Sequence, residues 1–273
     1  MNPMRWISGA VAVGCVALAA WNAWFFIALI CFLTVGGLYE FFYLIKKKDI
    51  PIYSYTGIFI GIMIPLSIFT RFELTRNWEL LLIVSGFLIM LLLQFKRQDN
   101  RNAILGLSTT LFGVLYVSWF FSFIVKIHLL LPGFDGAKLV LFIVAVTKSG
   151  DIGALLIGSW LGKHPLLPQV SPKKSIEGAL GGLACSTLTA VLCQAWLPPQ
   201  VSFSAGAVAL IGFFFGGLGQ LGDLSESMIK RDCNVKDSGN LLPGIGGILD
   251  LIDSLLFSAP AFYLYMSATL NRL

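Results

Sequence analysis

Charge is what this 273-residue sequence has least of. Only 12% of its residues are Asp, Glu, Lys or Arg, about half the share of an ordinary soluble domain, while 57% are hydrophobic and the mean hydropathy is +0.83. Apolar runs recur from the first residues to the last, and no soluble globule could bury them all. Histidine is nearly absent: His128 and His164 are too few and too far apart for a histidine metal site, and read as residues near a membrane interface. The five cysteines (Cys15, Cys31, Cys185, Cys193, Cys233) show no CxxC spacing, and four lie in apolar runs where the thiol acts as a small hydrophobe. That argues against a disulfide framework or a zinc site. Internal repeats, low-complexity tracts and a soluble domain are also missing.

What is present is a series of spans, each of roughly 20 apolar residues. The sequence predicts an all-α, polytopic membrane protein with about nine transmembrane helices. They run from about Trp6 to Ala20, Ala23 to Ile45, Tyr53 to Thr70, Trp78 to Phe95 and Ala103 to Ile127. The sixth, about Ala137 to Leu161, is interrupted by Lys148-Ser149-Gly150-Asp151. The last three cover about Ser175 to Trp196, Phe203 to Gly222 and Gly246 to Met266. Arg5, a short apolar stretch and Ala17-Leu18-Ala19 also fit a cleavable signal peptide, but another span begins almost at once. The spacings Gly158-x-x-x-Gly162 and Gly212-x-x-x-Gly216 read as helix-packing faces. One transmembrane catalytic domain is expected, with residues 1–135 a helical scaffold and 136–273 the half that carries the active site. With the N-terminus inside, the inner loops hold 13 of the 19 Lys and Arg and the outer loops hold five. The positive-inside rule then favours a cytoplasmic N-terminus.

Two stretches are more than loops. In Ser171-Pro172-Lys173-Lys174-Ser175-Ile176-Glu177-Gly178, Ser followed by Pro suits an N-cap and first helical turn. Lys173 and Lys174 in that turn would oppose the helix dipole, a conflict that a bound anion resolves. A plain headgroup anchor is the alternative. The second stretch, 221–254, interleaves Asp223, Glu226, Asp232, Asp237, Asp250 and Asp253 with Lys230, Arg231 and Lys236. Such mixed charge suits a metal–nucleotide site, where carboxylates hold the cation and cations hold phosphate oxygens. Asp250 and Asp253 share a helix face, one or two turns below the membrane surface, where a carboxylate is functional by default. Asp223, closing the preceding helix, would supply a third oxygen. Pro243-Gly-Ile-Gly-Gly, with Gly246 and Gly247, would let a phosphate approach the backbone. Lys148 and Asp151 form either a structural pair or the border of the cavity.

The segment Ser227-x-Ile229-Lys230-Arg231, then Lys236-Asp237-x-Gly239, then Leu242-Pro243-x-x-Gly246-Gly247-Ile248-x-Asp250-x-x-Asp253 resembles the signature of phosphatidate cytidylyltransferases. Gly162-Lys163-His164 followed by Ser171-Pro172-Lys173-Lys174-Ser175-x-Glu177-Gly178 looks like a second motif of that family, and Asp151 falls where it has an acid. Ile245 and Leu251 depart from the family's usual His and Arg. The resemblance implies transfer of a cytidylyl group from CTP to phosphatidic acid, with Mg²⁺ and a possible second cation. It implies metal binding by Asp223, Asp250 and Asp253. Triphosphate binding falls to Lys230, Arg231 and Lys236, headgroup binding to Lys173 and Lys174, and orientation of the cations to Asp237. It also implies a multi-pass protein of a bacterial-type cytoplasmic membrane with its active site facing the cytoplasm, no nucleic-acid partner and a possible homodimer. A related nucleotide-dependent lipid kinase or transferase, a catalytically silent relative and a transporter stay open. A transporter would show matching helix breaks in two halves, whereas the unusual charges here gather towards one end and one face.

Overall fold

The computed structural model describes residues 3–72, 77–97, 100–236, 238–239 and 246–270, with backbone alone for 3–10 and 12. Nine helices are present among them: α1 Pro3–Trp21, α2 Ala23–Lys46, α3 Ser54–Thr70, α4 Trp78–Phe95, α5 Ala103–Leu129, α6 Phe134–Leu161, α7 Ile176–Leu192, α8 Ala205–Asp232 and α9 Ile248–Leu270. Each matches one expected span. Seven of the nine are long and apolar enough to cross a bilayer, and α3 is shorter. One residue separates α1 from α2, and it is a capping one: the Asn22 side chain accepts the Trp24 and Phe25 N–H groups at 2.9 and 3.1 Å. Within α5, Val114–Trp119 widens into a π-helical turn, whose Ser118 hydroxyl donates to the Gly61 carbonyl of α3 at 2.6 Å.

By internal packing the chain falls into two compact units, Met1–Val125 with Cys233–Ile252, and Lys126–Asp232 with Asp253–Leu273. The signature stretch 233–252 therefore groups with the N-terminal helices. The first unit is cored by Leu38, Phe41, Phe42, Ile64, Phe121 and Ile248, all nearly fully buried. In the second, α6, α7 and α8 pack side by side and Phe142, Phe215 and Phe262 meet at ring-centroid distances of 5.2 to 6.0 Å. Gly212 and Gly216 face Ser186 and Ala190 of α7, the close helix approach that their spacing predicts.

Three local expectations are corrected. The helix α6 is continuous through Lys148–Asp151, because a Lys148–Asp151 pair at i and i+3 (3.1 Å) and a Ser149 hydroxyl bond to the Val146 carbonyl (3.0 Å) satisfy these polar groups within the helix. Ser171–Ser175 is not the start of a helix. It is a strand, β2, paired antiparallel with β1 (Pro165–Leu167). The cap of α7 is Ser175, whose Oγ accepts the Gly178 N–H at 3.1 Å, so Glu177 sits in the first turn and complements the dipole. Lys173 and Lys174 lie on β2. Ser175→Ala should lower stability by about 1 kcal/mol, read as a lower apparent Tm of the detergent-solubilised protein. Lastly, α8 runs to Asp232 rather than ending near Gly222. Its 28 residues span about 42 Å at 1.5 Å per residue, beyond the roughly 30 Å hydrocarbon core. The charged residues 223–232 form the overhanging end.

Candidate metal and phosphate site

The extension of α8 puts Asp223, Glu226 and Lys230 on one helical face at intervals of three and four residues. Asp253, near the start of α9, packs against that face. The three carboxylates Asp223, Glu226 and Asp253 each place an oxygen within 4.8 Å of the others, and Glu226 and Asp253 are buried at 0% and 5% exposure. The close approach depends on Gly222, where any Cβ would overlap the Asp253 carbonyl oxygen.

Charges this close and this buried repel unless cations sit among them. Lysines surround the cluster. Lys230 pairs with Glu226 one turn along α8, and Lys174 reaches from β2 to Asp223 at 2.6 Å. Lys148 of α6 lies 3.1 Å from Asp151, 2.8 Å from the Ser254 hydroxyl and 3.9 Å from Asp253. Three converging carboxylate oxygens are the donor set that a hard divalent cation takes. The residues fit such an ion.

Beside the cluster lies a cavity of about 500 Å³. Its lining mixes Asp151, Ser171, Lys173, Lys174, Ser175, Gln220 and Asp223 with Ala154, Leu155, Leu166, Ala179 and Leu224. The hairpin that brings the lysines is tied down at several points. Glu177 accepts the Lys163 and His164 N–H groups at 3.1 and 3.2 Å and meets the His164 ring at 2.5 Å. Arg231 Nε donates to the Val170 carbonyl at 3.2 Å.

Of the residues expected from sequence, Asp223 and Asp253 meet in the carboxylate cluster, and Asp151, Ser171, Lys173 and Lys174 line the cavity. Lys230 contacts Glu226, Ser227 is buried beside it, and Arg231 holds the hairpin. Asp250, Gly246, Gly247 and Lys236 lie in the stretch that packs with the N-terminal helices. There the Asp250 carboxylate accepts the Gly247 N–H at 2.9 Å and the Ser238 hydroxyl at 2.8 Å, and Lys236 is exposed. Asp237, Pro243 and Ile245 lie outside the described residues.

Sequence reasoning missed Glu226 as a member of the carboxylate cluster. Ending the helix at Gly222 hid its i, i+3 relation to Asp223. It also missed Glu40, a buried acid of α2 that accepts the Leu249 N–H at 2.8 Å. The signal for Glu40 was plain: it is the only charged residue in α2 before Lys46.

A phosphatidate cytidylyltransferase of Synechocystis is 34% identical over 291 aligned positions, covering 97% of each chain. An uncharacterised Escherichia coli protein, YnbB, is 36% identical over 90% of this chain and 79% of its own length. The chloroplastic phosphatidate cytidylyltransferase 4 of Arabidopsis thaliana is 33% identical, over 95% of this chain and 71% of its own. Residues 3–269, nearly the whole chain with both the carboxylate cluster and the cavity, match the cytidylyltransferase family, and to that family this protein belongs.

Proposed function

We propose that the protein transfers the cytidylyl group of CTP to phosphatidic acid, giving CDP-diacylglycerol and pyrophosphate. The observation that carries this reading is a three-carboxylate cluster next to a cavity lined by two lysines and two serine hydroxyls together with apolar side chains. An oxygen of the lipid phosphate attacks the α-phosphorus of CTP, and the bond to the pyrophosphate oxygen breaks. The lipid phosphate is ionised at neutral pH, so no strong base is needed, and catalysis rests on positioning and charge neutralisation.

Asp223, Glu226 and Asp253 would hold Mg²⁺, which neutralises triphosphate oxygens when bound. Lys174 and Lys173, with the Ser171 and Ser175 hydroxyls, receive the lipid phosphate, while the apolar wall of Leu155, Leu166 and Leu224 takes the adjoining glycerol and acyl carbons. Lys230 and Arg231 hold the triphosphate and its leaving portion, with Lys236 and Asp237 contributing from the signature loop. Lys148 orients Asp151 and Asp253. The protein works as a multi-pass component of a bacterial-type cytoplasmic membrane, N-terminus and active site on the cytoplasmic side. There CTP arrives from water and the lipid arrives laterally.

The test is CTP-dependent conversion of phosphatidic acid by purified protein in detergent or lipid with Mg²⁺, alongside Lys174→Met. Losing one charge-assisted bond to phosphate should raise the half-saturating phosphatidate concentration about 10-fold or more, with a smaller change for CTP. No product from a folded sample sinks the reaction. An unchanged phosphatidate dependence in Lys174→Met removes that lysine from the headgroup site.

A further inference from the structure

We infer that Glu40 is a positioning residue for the proposed reaction, holding the first turn of α9 and the Asp250 carboxylate in place from α2; the inference rests on that reaction. Glu40 sits six residues before the end of an otherwise apolar spanning helix and is 2% exposed. A carboxylate so placed is costly. Its Oε2 accepts the Leu249 N–H at 2.8 Å and faces the Ser238 hydroxyl at 3.3 Å.

Those contacts have a definite meaning at the start of a helix. The first four N–H groups of α9 lack intrahelical partners. In a capping box the third residue reaches back to the N-cap N–H, and the N-cap side chain reaches forward into the first turn. Asp250 makes the first of these bonds, to Gly247. Gly247 has no side chain to make the second. It can have none, because a Cβ there would run into Ser238 Oγ, Glu40 Oε2 and Asp250 Oδ2. Glu40 supplies the missing acceptor from another helix.

The Ser238 hydroxyl ties the two acids together. Its oxygen lies 2.8 Å from Asp250 Oδ2 and 3.3 Å from Glu40 Oε2, so its one proton is shared between the two carboxylates and couples their positions. The second oxygen of Glu40, Oε1, is buried against Gly239 and accepts no hydrogen bond among the described residues. The place of Glu40 is explained by what it holds: the opening turns of α9, on which Asp250 and Asp253 stand.

The experiment uses the full chain in lipid vesicles, as parent, Glu40→Gln, Ser238→Ala and the double variant. Turnover is measured per folded molecule with KM for both substrates, together with hydrogen exchange of residues 246–252. Glu40→Gln should lower kcat about 10-fold, since a small misplacement of a reacting group costs that much or more. KM should stay within about twofold, and exchange at Leu249 should quicken about 10-fold. The double variant should be no worse than the poorer single one, as expected of residues acting through one link. Parental kcat per folded molecule in both single variants, or unchanged exchange at Leu249, overturns the inference. So does a loss accounted for wholly by a lower Tm. If the parent itself yields no product, the proposed reaction fails, and the exchange at Leu249 decides on the anchoring alone.

Discussion

Asp253→Asn is expected to cut CTP-dependent product formation about 10³-fold, roughly 4 kcal/mol of transition-state stabilisation, without unfolding the protein. Asparagine keeps the volume and an oxygen acceptor, so the Ser254 N–H at 2.5 Å retains its partner. What disappears is one of three negative charges gathered within 4.8 Å. Lys148 does not become an orphan, because Asp151 and the Ser254 hydroxyl still hold its ammonium group. Relief of repulsion in the cluster offsets the lost attraction to Lys148, and the Tm without metal should move by only a few degrees. The decisive readout is thermal stabilisation by Mg²⁺. A parent saturated to about 100 times its Kd gains roughly 2.7 kcal/mol, and Asp253→Asn should lose most of that gain together with activity. Parental turnover with intact Mg²⁺ stabilisation would place the cation away from this cluster. Asp250→Asn is the informative companion: its carboxylate is engaged with Gly247 and Ser238, so turnover should fall while Mg²⁺ stabilisation stays near parental.

The membrane plan was legible because it depends on length and apolarity alone, and seven of the expected spans have a helix long and apolar enough to cross a bilayer. The misreadings come from residues whose local preference was outweighed. Lys148 and Asp151 look like a break in an apolar run, yet a lysine and an aspartate three apart neutralise each other and let α6 continue. Pro172 reads as the first turn of a helix, but the next serine, Ser175, caps better: behind it stand Glu177, favourable to the dipole, and Gly178, whose N–H the Ser175 hydroxyl accepts. The end of α8 was hidden for a related reason. Polarity after Gly222 marks where the hydrocarbon stops, not where the helix stops, and Glu226 joins the carboxylate cluster only when the helix is followed past that level. Glu40 marks a different limit. Its isolation in an apolar helix is visible in the sequence, whereas its partner at Leu249 is 209 residues away and only the packed fold brings the two together.

Gly222→Ala should be nearly as damaging as the loss of a carboxylate, although alanine is the better helix former and adds one methyl group. Its Cβ would overlap the carbonyl oxygen and carbon of Asp253 and press on the Ser254 Cα. These are backbone atoms within a helix, so they cannot rotate aside as a flexible side chain would. The α8 and α9 segments must separate locally, which costs about 1–3 kcal/mol as overpacking and draws Asp253 away from Asp223 and Glu226. A shift of an ångström in a group that organises the reaction lowers the rate about 10²-fold, so turnover per folded molecule should fall well beyond what the lower stability explains. Gly206→Ala is the control, because the same methyl there meets nothing within 4 Å and turnover should be unchanged. Measuring both variants by CDP-diacylglycerol formation and thermal unfolding separates helix propensity from helix separation. If Gly222→Ala turns over at the parental rate, the approach of Asp253 to α8 is not what sets the geometry of the reaction.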